Sequence, residues 1–109
     1  MPLVYVAGPY SQGDQAQNVR RAIDAAEKLL SLGITPFIPH LTHFWHIIYE
    51  HDWETWLTID EEILKRCDYV LRIPGESSGA DRECNLANYK KIPVFFDMDS
   101  LMNHLNKDD

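Results

Sequence analysis

Apolar residues along the chain form short continuous runs separated by longer segments with helical spacing. Four runs are typical of strands buried on both faces of a sheet: "LVYVA" (3–7), "ITPFI" (34–38), "YVLRI" (69–73) and "IPVFF" (92–96). Pro36 predicts an edge or an irregular position for the second run, because proline cannot donate the hydrogen bond that a central strand requires.

The segments between these runs repeat apolar residues with the period of a helix. In residues 17–32 the apolar positions are Val19, Ala22, Ile23, Ala26, Leu29 and Leu30. Further helices are predicted at 55–66, 80–90 and 98–106. The alternation predicts an α/β fold, doubly wound and Rossmann- or flavodoxin-like, with a mainly parallel sheet of about four to five strands and helices on both faces. Ligands of such sheets bind beyond the carboxyl ends of the strands, which selects the segments 8–10, 39–43 and 74–79.

Length and charge restrict the classes of function. With 109 residues and 45% hydrophobic content, the chain can build one core, so residues 1–109 are expected to form a single domain. A net charge of -7 argues against binding a nucleic-acid polymer and favours a small-molecule ligand. No apolar run has the length of a membrane span, and the first strand follows the N-terminus without a basic leader. We therefore expect a cytoplasmic protein that has no membrane partner.

Two carboxylates interrupt the apolar faces of the predicted helices. At about 100° per residue, Asp60 falls among Trp56, Ile63 and Leu64, and Glu83 lies on the apolar side of the next helix. A buried carboxylate costs several kcal/mol unless it is hydrogen-bonded or its pKa rises. A convergent pair of carboxylates is typical of glycosidic-bond chemistry.

Ordinary structural roles are the alternative for these carboxylates. Glu83 would lie in the first turn of its helix, where unpaired backbone N–H groups favour an acid, and Ser78 with Asp81 would cap that helix. Asp60 would pair with Arg66, Arg72 or a backbone donor.

Three motifs together resemble the nucleoside 2-deoxyribosyltransferase superfamily: "VYVAGPYS", Asp60 eight residues before "CDYVLRI", and "ESSGADRE". The similarity extends over almost the whole chain. It is strongest to small deoxyribosyltransferase-like proteins of unassigned substrate, which are related to the 2′-deoxynucleoside 5′-phosphate N-hydrolases. The resemblance implies a nucleoside or nucleotide ligand, no cofactor, and a homodimer or larger homo-oligomer in which a neighbouring subunit completes the site.

The resemblance also implies catalytic roles. Glu83 matches the nucleophile that attacks C1′ of the sugar, releases the base and leaves a glycosyl-enzyme intermediate. Asp60 matches the aspartate that assists at the base or sugar and orients the nucleophile, and Tyr5 matches a tyrosine near that nucleophile. A glutamate at a helix N-terminus is expected to stay ionised near neutral pH.

The substrate-binding residues follow from the same comparison. Ser77 matches a serine that holds the sugar or its 5′-phosphate, and Gly79 matches a glycine that lets the backbone approach the ligand. The loop that wraps the sugar-phosphate end corresponds to Gly8, Pro9, Tyr10 and Ser11. The nucleotide hydrolases have arginines in this loop, whereas this chain has no basic residue before Arg20. Backbone N–H groups, Arg20 or Arg82 would have to replace them, so the choice between nucleoside and nucleotide stays open.

The segment 39–56 is rich in histidine and tryptophan. Its histidines 40, 43 and 46 have a spacing that matches no common zinc motif, so no metal is predicted. The aromatic residues would pack over the site, form a subunit contact, or stack on a nucleobase through Trp45, Tyr49 or Trp53. Of these residues we assign His43 and Trp45 to substrate binding.

The sequence thus predicts an enzyme that cleaves the N-glycosidic bond of a nucleoside or nucleoside 5′-monophosphate through Glu83 and passes the sugar to water or to another base. A catalytically silent nucleotide-binding module is the alternative. A metal-dependent hydrolase centred on the histidines is a third hypothesis.

Overall fold

The α/β fold is confirmed by a computed structural model, which describes residues 2–106. The elements in chain order are β1 (Leu3–Ala7), α1 (Gln15–Ser31), β2 (Thr35–Phe37), a 3₁₀ turn (Pro39–Thr42), α2 (His43–Ile48), α3 (Trp53–Leu64), β3 (Tyr69–Arg72), α4 (Ser78–Tyr89), β4 (Val94–Phe95) and α5 (Met98–Asn106). The four strands form a parallel sheet of order β2-β1-β3-β4. Pro36 lies on the edge strand β2, as predicted.

Successive residues of β1 point to opposite faces of the sheet, and each face carries its own hydrophobic core. Val4 and Val6 pack in a cluster with residues of α1 and α5, including Leu29 and Leu101. Tyr5 and Ala7 pack in a second cluster with residues of α3 and α4. The chain is therefore a three-layer sandwich with helices on both faces. None of the helices within residues 2–106 combines the length and the apolar character that a membrane crossing needs.

Three helices begin two residues earlier than the apolar pattern predicts, because side chains cap them. Asp14 accepts a hydrogen bond from the backbone N–H of residue 17, Asp52 from that of Thr55, and Ser77 from that of Ala80. The capping residues are polar, so hydrophobic periodicity does not include the first turns that they stabilise.

Some predicted details are wrong. Ile23 and Leu30 were expected to face the core but are 43% and 57% exposed, because the buried face of α1 is a narrower stripe through Ala22, Ala26 and Leu29. The strands predicted at 34–38 and 92–96 are reduced to Thr35–Phe37 and Val94–Phe95. The connection predicted at 39–54 folds mostly into the 3₁₀ turn and α2.

Candidate functional site

A cleft of about 270 Å³ opens at the carboxyl ends of β1 and β3. Its walls come from the loop after β1, the segment 39–57 and the first turns of α4. Of the predicted site residues, the cleft brings together Glu83, Asp60, Gly8, Tyr10, Ser11, Ser77 and Gly79. Tyr5, Pro9, His43 and Trp45 do not line it. The cleft lies at the edge of the sheet where a ligand site was predicted.

Glu83 is buried in the floor of the cleft, with 4% of its surface exposed. The hydroxyl of Tyr5, which is fully buried on β1, donates a hydrogen bond to the Glu83 carboxylate. Burial raises the pKa of Tyr5 well above its ordinary value, so this hydroxyl keeps its proton. Tyr5 therefore fixes the orientation of the carboxyl group that faces the cleft.

Two expectations for Glu83 are wrong. It is the sixth residue of α4 and lies in the second turn rather than the first, since the helix begins at Ser78. It is also mostly protonated at neutral pH in the free site: burial raises its pKa to about 8, and the Asp60 charge adds to the rise. The hydrogen bond from Tyr5 opposes this shift without cancelling it, because desolvation is the larger effect.

Asp60 lies on α3 and is 8% exposed. Burial raises its pKa to about 7, and the Glu61 charge contributes. Its Oδ1 atom has no hydrogen-bond partner within residues 2–106. The expected partners bind elsewhere, because Arg66 pairs with Glu62 and Arg72 pairs with Asp81. An unpartnered buried oxygen beside a cleft is free to contact a ligand.

No lysine or arginine of the described chain lines the cleft. Arg82 pairs with Glu54 at 2.9 Å and with Glu61 at 3.0 Å, outside the cleft. Arg20 lies on α1, where it approaches Asp24 at 3.9 Å. Neither arginine therefore replaces the phosphate-binding arginines that the first loop lacks.

Ser77 lines the cleft, but its hydroxyl oxygen accepts the backbone N–H of Ala80 at 3.0 Å and so caps α4. The predicted cap of Ser78 with Asp81 is wrong: Ser78 is the first helical residue, and Asp81 accepts a hydrogen bond from Arg72 at 3.2 Å. The order of the two serines could not be decided from the sequence, because either can cap a helix that follows.

Gly8 and Gly75 allow the loops after β1 and β3 to pack closely against each other beneath the cleft. A Cβ on Gly8 would overlap the side chain of Ile73, and a Cβ on Gly75 would lie 2.5 Å from Pro9 Cγ. Gly75 also has a φ of +121°, which side chains rarely adopt. At Gly79, by contrast, a Cβ would meet its neighbours at 3.8 Å or more, so only a ligand would require glycine there.

The aromatic wall of the cleft consists of His46, His51, Trp53 and Trp56. The Trp56 indole N–H donates to His46 Nδ1 at 2.8 Å, and both histidine rings pack edge-on against that indole. Of these four residues, only Trp53 was predicted to contact a base. The position of Trp56 on the apolar face of α3 could have indicated that it is partly buried near the site. For His46 and His51 there was no indication in the sequence beyond the high histidine content of the segment.

The remaining predicted residues lie behind the cleft. Trp45 is half exposed and packs edge-on against Trp56, with ring centroids 5.1 Å apart. His43 Nδ1 forms a hydrogen bond with the Tyr10 hydroxyl. The Pro9 carbonyl accepts a hydrogen bond from His40, a buried residue of the cleft that was not predicted to bind substrate. The three histidines of the possible metal motif thus point at three different partners, and no group of three potential ligand residues within 2–106 is arranged to hold a metal ion.

Solved structures share this fold. A 2-deoxyribosyltransferase from the psychrotolerant bacterium Bacillus psychrosaccharolyticus aligns with a TM-score of 0.68 and 23% identity, over 84% of this chain and 69% of that one. A conserved protein from Enterococcus faecalis V583 aligns with a TM-score of 0.68 and 22% identity, over 86% of this chain and 61% of the other. No protein in the curated set matches the sequence significantly.

At the level of sequence, residues 2–97 match the model of a family described as a domain of unknown function, DUF7768. The match covers nearly all of the three-layer sandwich and every predicted catalytic residue. The chain therefore belongs to the DUF7768 family, and its fold is that of the 2-deoxyribosyltransferase.

Proposed function

We propose that the protein cleaves the N-glycosidic bond of a nucleoside and passes the sugar to water or to another base. The observation that carries this proposal is the pair of buried carboxyl groups, Glu83 and Asp60, in one cleft, with the Tyr5 hydroxyl bonded to Glu83. Two carboxyl groups with distinct tasks are what glycosidic-bond cleavage requires. The fold shared with a 2-deoxyribosyltransferase agrees with this assignment.

In the proposed reaction, the Glu83 carboxylate attacks C1′ of the sugar, a bond forms between them, and the bond from C1′ to the base nitrogen breaks. Asp60 in its protonated form supplies a proton to the departing base. Water or a second base then attacks C1′, its proton passes to the Asp60 carboxylate, and the bond from C1′ to Glu83 breaks, which restores both carboxyl groups. Tyr5 holds the Glu83 carboxylate in position during both steps.

The protonation states of the two carboxyl groups are linked. Their pKa values are raised to about 7 for Asp60 and about 8 for Glu83, and the Asp60 charge acts on Glu83, so the pair loses its two protons in linked steps. The form with one proton is most populated between these values. The reaction uses the smaller fraction of this form, in which Glu83 is the carboxylate that attacks and Asp60 keeps the proton, because Asp60 has the lower pKa. Base release is therefore expected to be highest in this pH range.

The charge of the cleft favours a nucleoside over a nucleoside 5′-monophosphate. Within residues 2–106 the cleft is lined by two carboxyl side chains and by no lysine or arginine. A phosphate would meet this surface without the lysine or arginine partner that usually binds it. The N-terminus of α1, a possible substitute, is capped by Asp14, whose charge adds to the repulsion.

A catalytically silent nucleoside-binding module is the second candidate. One observation favours it: with a pKa of about 8, Glu83 is mostly protonated in the free cleft at neutral pH. A neutral carboxyl group binds a sugar hydroxyl well but is a poor nucleophile. This candidate predicts binding without base release at any pH.

The decisive experiment incubates the purified protein with a panel of nucleosides and their 5′-monophosphates and measures free base by chromatography. We expect base release from at least one deoxynucleoside, and a loss of at least about a thousandfold in Glu83→Gln, which cannot form the glycosyl ester. Monophosphates are expected to react more slowly than the matching nucleosides.

A matched control is Glu27→Gln, which removes an exposed carboxylate of α1 far from the lining of the cleft. It is expected to leave base release unchanged. Base release that persists in Glu83→Gln would contradict the assignment of the nucleophile, and binding without release in the wild type would select the second candidate.

We also propose that α2 and its flanks form the contact of a homo-oligomer. Its apolar residues Phe44, Ile47, Ile48 and Tyr49 are 65%, 65%, 73% and 68% exposed, and α2 has no buried residue within the protomer. A contiguous exposed apolar surface of this kind is typical of an interface. The segment also borders the cleft, so a second copy seated there would cover the aromatic wall.

Light scattering after size-exclusion chromatography measures this contact. The wild type is expected to have the mass of a dimer or larger oligomer, and Ile48→Asp is expected to shift it to the monomer because a buried carboxylate destabilises the interface. The control Leu30→Asp places a carboxylate on an exposed position of α1. A monomeric wild type would contradict the proposal.

A further inference from the structure

Two histidines of the cleft each have one ring nitrogen fixed by the protein and the other nitrogen available. His40 lies in the 3₁₀ turn after β2 and is 4% exposed, whereas His46 lies on α2 in the aromatic wall. Because a neutral imidazole has one donor and one acceptor, the fixed nitrogen determines the role of the other.

For His40 the available nitrogen is an acceptor. Its Nε2 lies 2.9 Å from the Pro9 carbonyl oxygen, which can only accept, so Nε2 carries the proton. Burial lowers the pKa of His40 and keeps the ring neutral. Nδ1 is then a lone pair, and it has no partner within the described chain although it is buried at the cleft. A buried acceptor without a partner requires a donor from a ligand or water.

For His46 the available nitrogen is a donor. Its Nδ1 accepts the Trp56 indole N–H at 2.8 Å and the backbone N–H of His51 at 3.2 Å. An indole nitrogen can only donate, so Nδ1 is the lone pair and Nε2 carries the proton. Both rings are thus in the Nε2–H tautomer. His40 presents an acceptor to the cleft and His46 presents a donor, because the protein binds Nε2 of His40 and Nδ1 of His46.

We propose that His40 and His46 form an acceptor and donor pair that determines specificity: His40 Nδ1 accepts a hydrogen bond from a sugar hydroxyl, and His46 Nε2–H donates one to an acceptor atom of the base. This rests on the proposed function, which supplies the nucleoside. The position of each ring indicates whether it contacts the sugar or the base of the nucleoside. His40 is bonded to the loop after β1, the strand whose Tyr5 holds Glu83, and Glu83 must reach the sugar. His46 belongs to the aromatic wall, whose ring faces suit a base.

The first experiment tests the tautomers without any ligand or turnover. Nitrogen-15 NMR of the histidine rings distinguishes the two tautomers, and we expect the Nε2–H form at both residues. Trp56→Phe removes one of the two donors to His46 Nδ1 and leaves the backbone N–H of His51, so the share of the Nδ1–H form should rise at His46 and not at His40. An Nδ1–H tautomer at either residue in the wild type would overturn the proposal.

The second experiment uses substitutions that keep the internal hydrogen bond and remove only the atom offered to the ligand. His40→Gln retains an amide donor for the Pro9 carbonyl, and its one acceptor, the amide oxygen, lies farther along the side chain than the Nδ1 position. His46→Asn retains an acceptor for the Trp56 indole, and its amide N–H groups lie on a shorter side chain that does not extend to the Nε2 position. Affinities are measured by calorimetry in the Glu83→Gln background, so that bond cleavage does not consume the ligand.

The probes are 2′-deoxyadenosine, its analogues without the 3′- or 5′-hydroxyl, and deaza analogues in which a ring nitrogen of the base is C–H. The protein with both histidines is expected to bind 2′-deoxyadenosine about tenfold or more tightly than one hydroxyl-deficient and one deaza analogue, since each leaves a polar group unpaired. His40→Gln should abolish only the first preference, and His46→Asn only the second.

A general loss of affinity with both preferences intact would overturn the proposal, as would the absence of deoxynucleoside binding. Its failure is distinguishable from failure of the proposed function. If base release depends on Glu83 but the histidine variants keep both preferences, only the proposal for the histidine pair is rejected. If the protein binds with the expected preferences but releases no base, only the proposed enzymatic activity is rejected.

Discussion

The two faces of the sheet differ in what their cores contain. On the face of α1 and α5, the buried cluster around Val4, Val6 and Leu29 consists entirely of apolar side chains. On the face of α3 and α4, the cluster includes the Tyr5 ring and adjoins the buried carboxyl groups of Asp60 and Glu83. Residues that alternate along one strand, Val4 to Val6 and Tyr5 to Ala7, thus belong to cores of different chemistry.

The comparison shows how a chain of this length separates stability from chemistry. Buried carboxyl groups cost free energy of folding, whereas buried aliphatic side chains supply it. One layer therefore carries the polar groups of the cleft, and the other compensates for them. Substitutions matched between the two layers test this separation.

The largest effect is expected in the apolar layer, for Leu29→Ala. Leu29 is fully buried, so the substitution removes apolar contacts and leaves a cavity, and the free energy of unfolding should fall by about 3 kcal/mol. Chemical denaturation measures the change. Leu30→Ala, at the neighbouring position that is 57% exposed, is the control and should change stability by less than about 1 kcal/mol. A comparable loss in both variants would contradict the narrow buried stripe of α1.

Asp60→Asn should stabilise the protein at high pH, in contrast to Leu29→Ala. The pKa of Asp60 is about 7 in the folded protein, above its ordinary value, so the stability that goes with its protonated form is present below about pH 4 and is lost as the pH rises through 7. Asparagine does not ionise and avoids this loss. We expect a gain of about 2 kcal/mol at pH 9, little gain at pH 4, and reduced base release at all pH values.

Thermal unfolding across this pH range measures the effect, and Asp24→Asn on the exposed face of α1 is the control. A gain that does not depend on pH would contradict the raised pKa of Asp60.

Tyr5→Phe should have the smallest effect and the most specific one. It removes the hydroxyl that donates to Glu83, so the pKa of Glu83 should rise further, and the pH of highest base release should move upward with a loss of about tenfold at neutral pH. The pH dependence of kcat/KM measures this shift. Tyr69→Phe, on the apolar face of β3, is the control and should leave the pH profile unchanged. An unchanged profile in Tyr5→Phe would show that the hydrogen bond does not tune Glu83.

Much of the fold could be predicted from the sequence, because the four apolar runs and the periodic helices depend on burial alone. The burial of Asp60 and Glu83 was also predictable, since their helical phase placed them on apolar faces. The starts of the helices were less predictable, because a cap such as Ser77 is a local hydrogen bond that hydrophobicity does not record.

The aromatic wall and the charge state of Glu83 could not be predicted for a different reason. Both depend on contacts between different elements of the fold. Trp56 reaches His46 only because α3 packs beside α2, and Glu83 remains protonated at neutral pH because burial outweighs the hydrogen bond from Tyr5 and the charge of Arg72. The balance of such terms is a property of the folded protein.

The close packing at Gly8 and Gly75 also determines which positions can be varied when the substrate range is altered by protein engineering. Side chains at Gly8 or Gly75 would force apart the loops that follow β1 and β3, so libraries that vary these positions should consist mainly of unfolded or inactive members. The segment 43–53 supplies the opposite wall from a short helix with no buried residue. Directed evolution toward new bases should therefore succeed in this segment, with the glycine floor left unchanged.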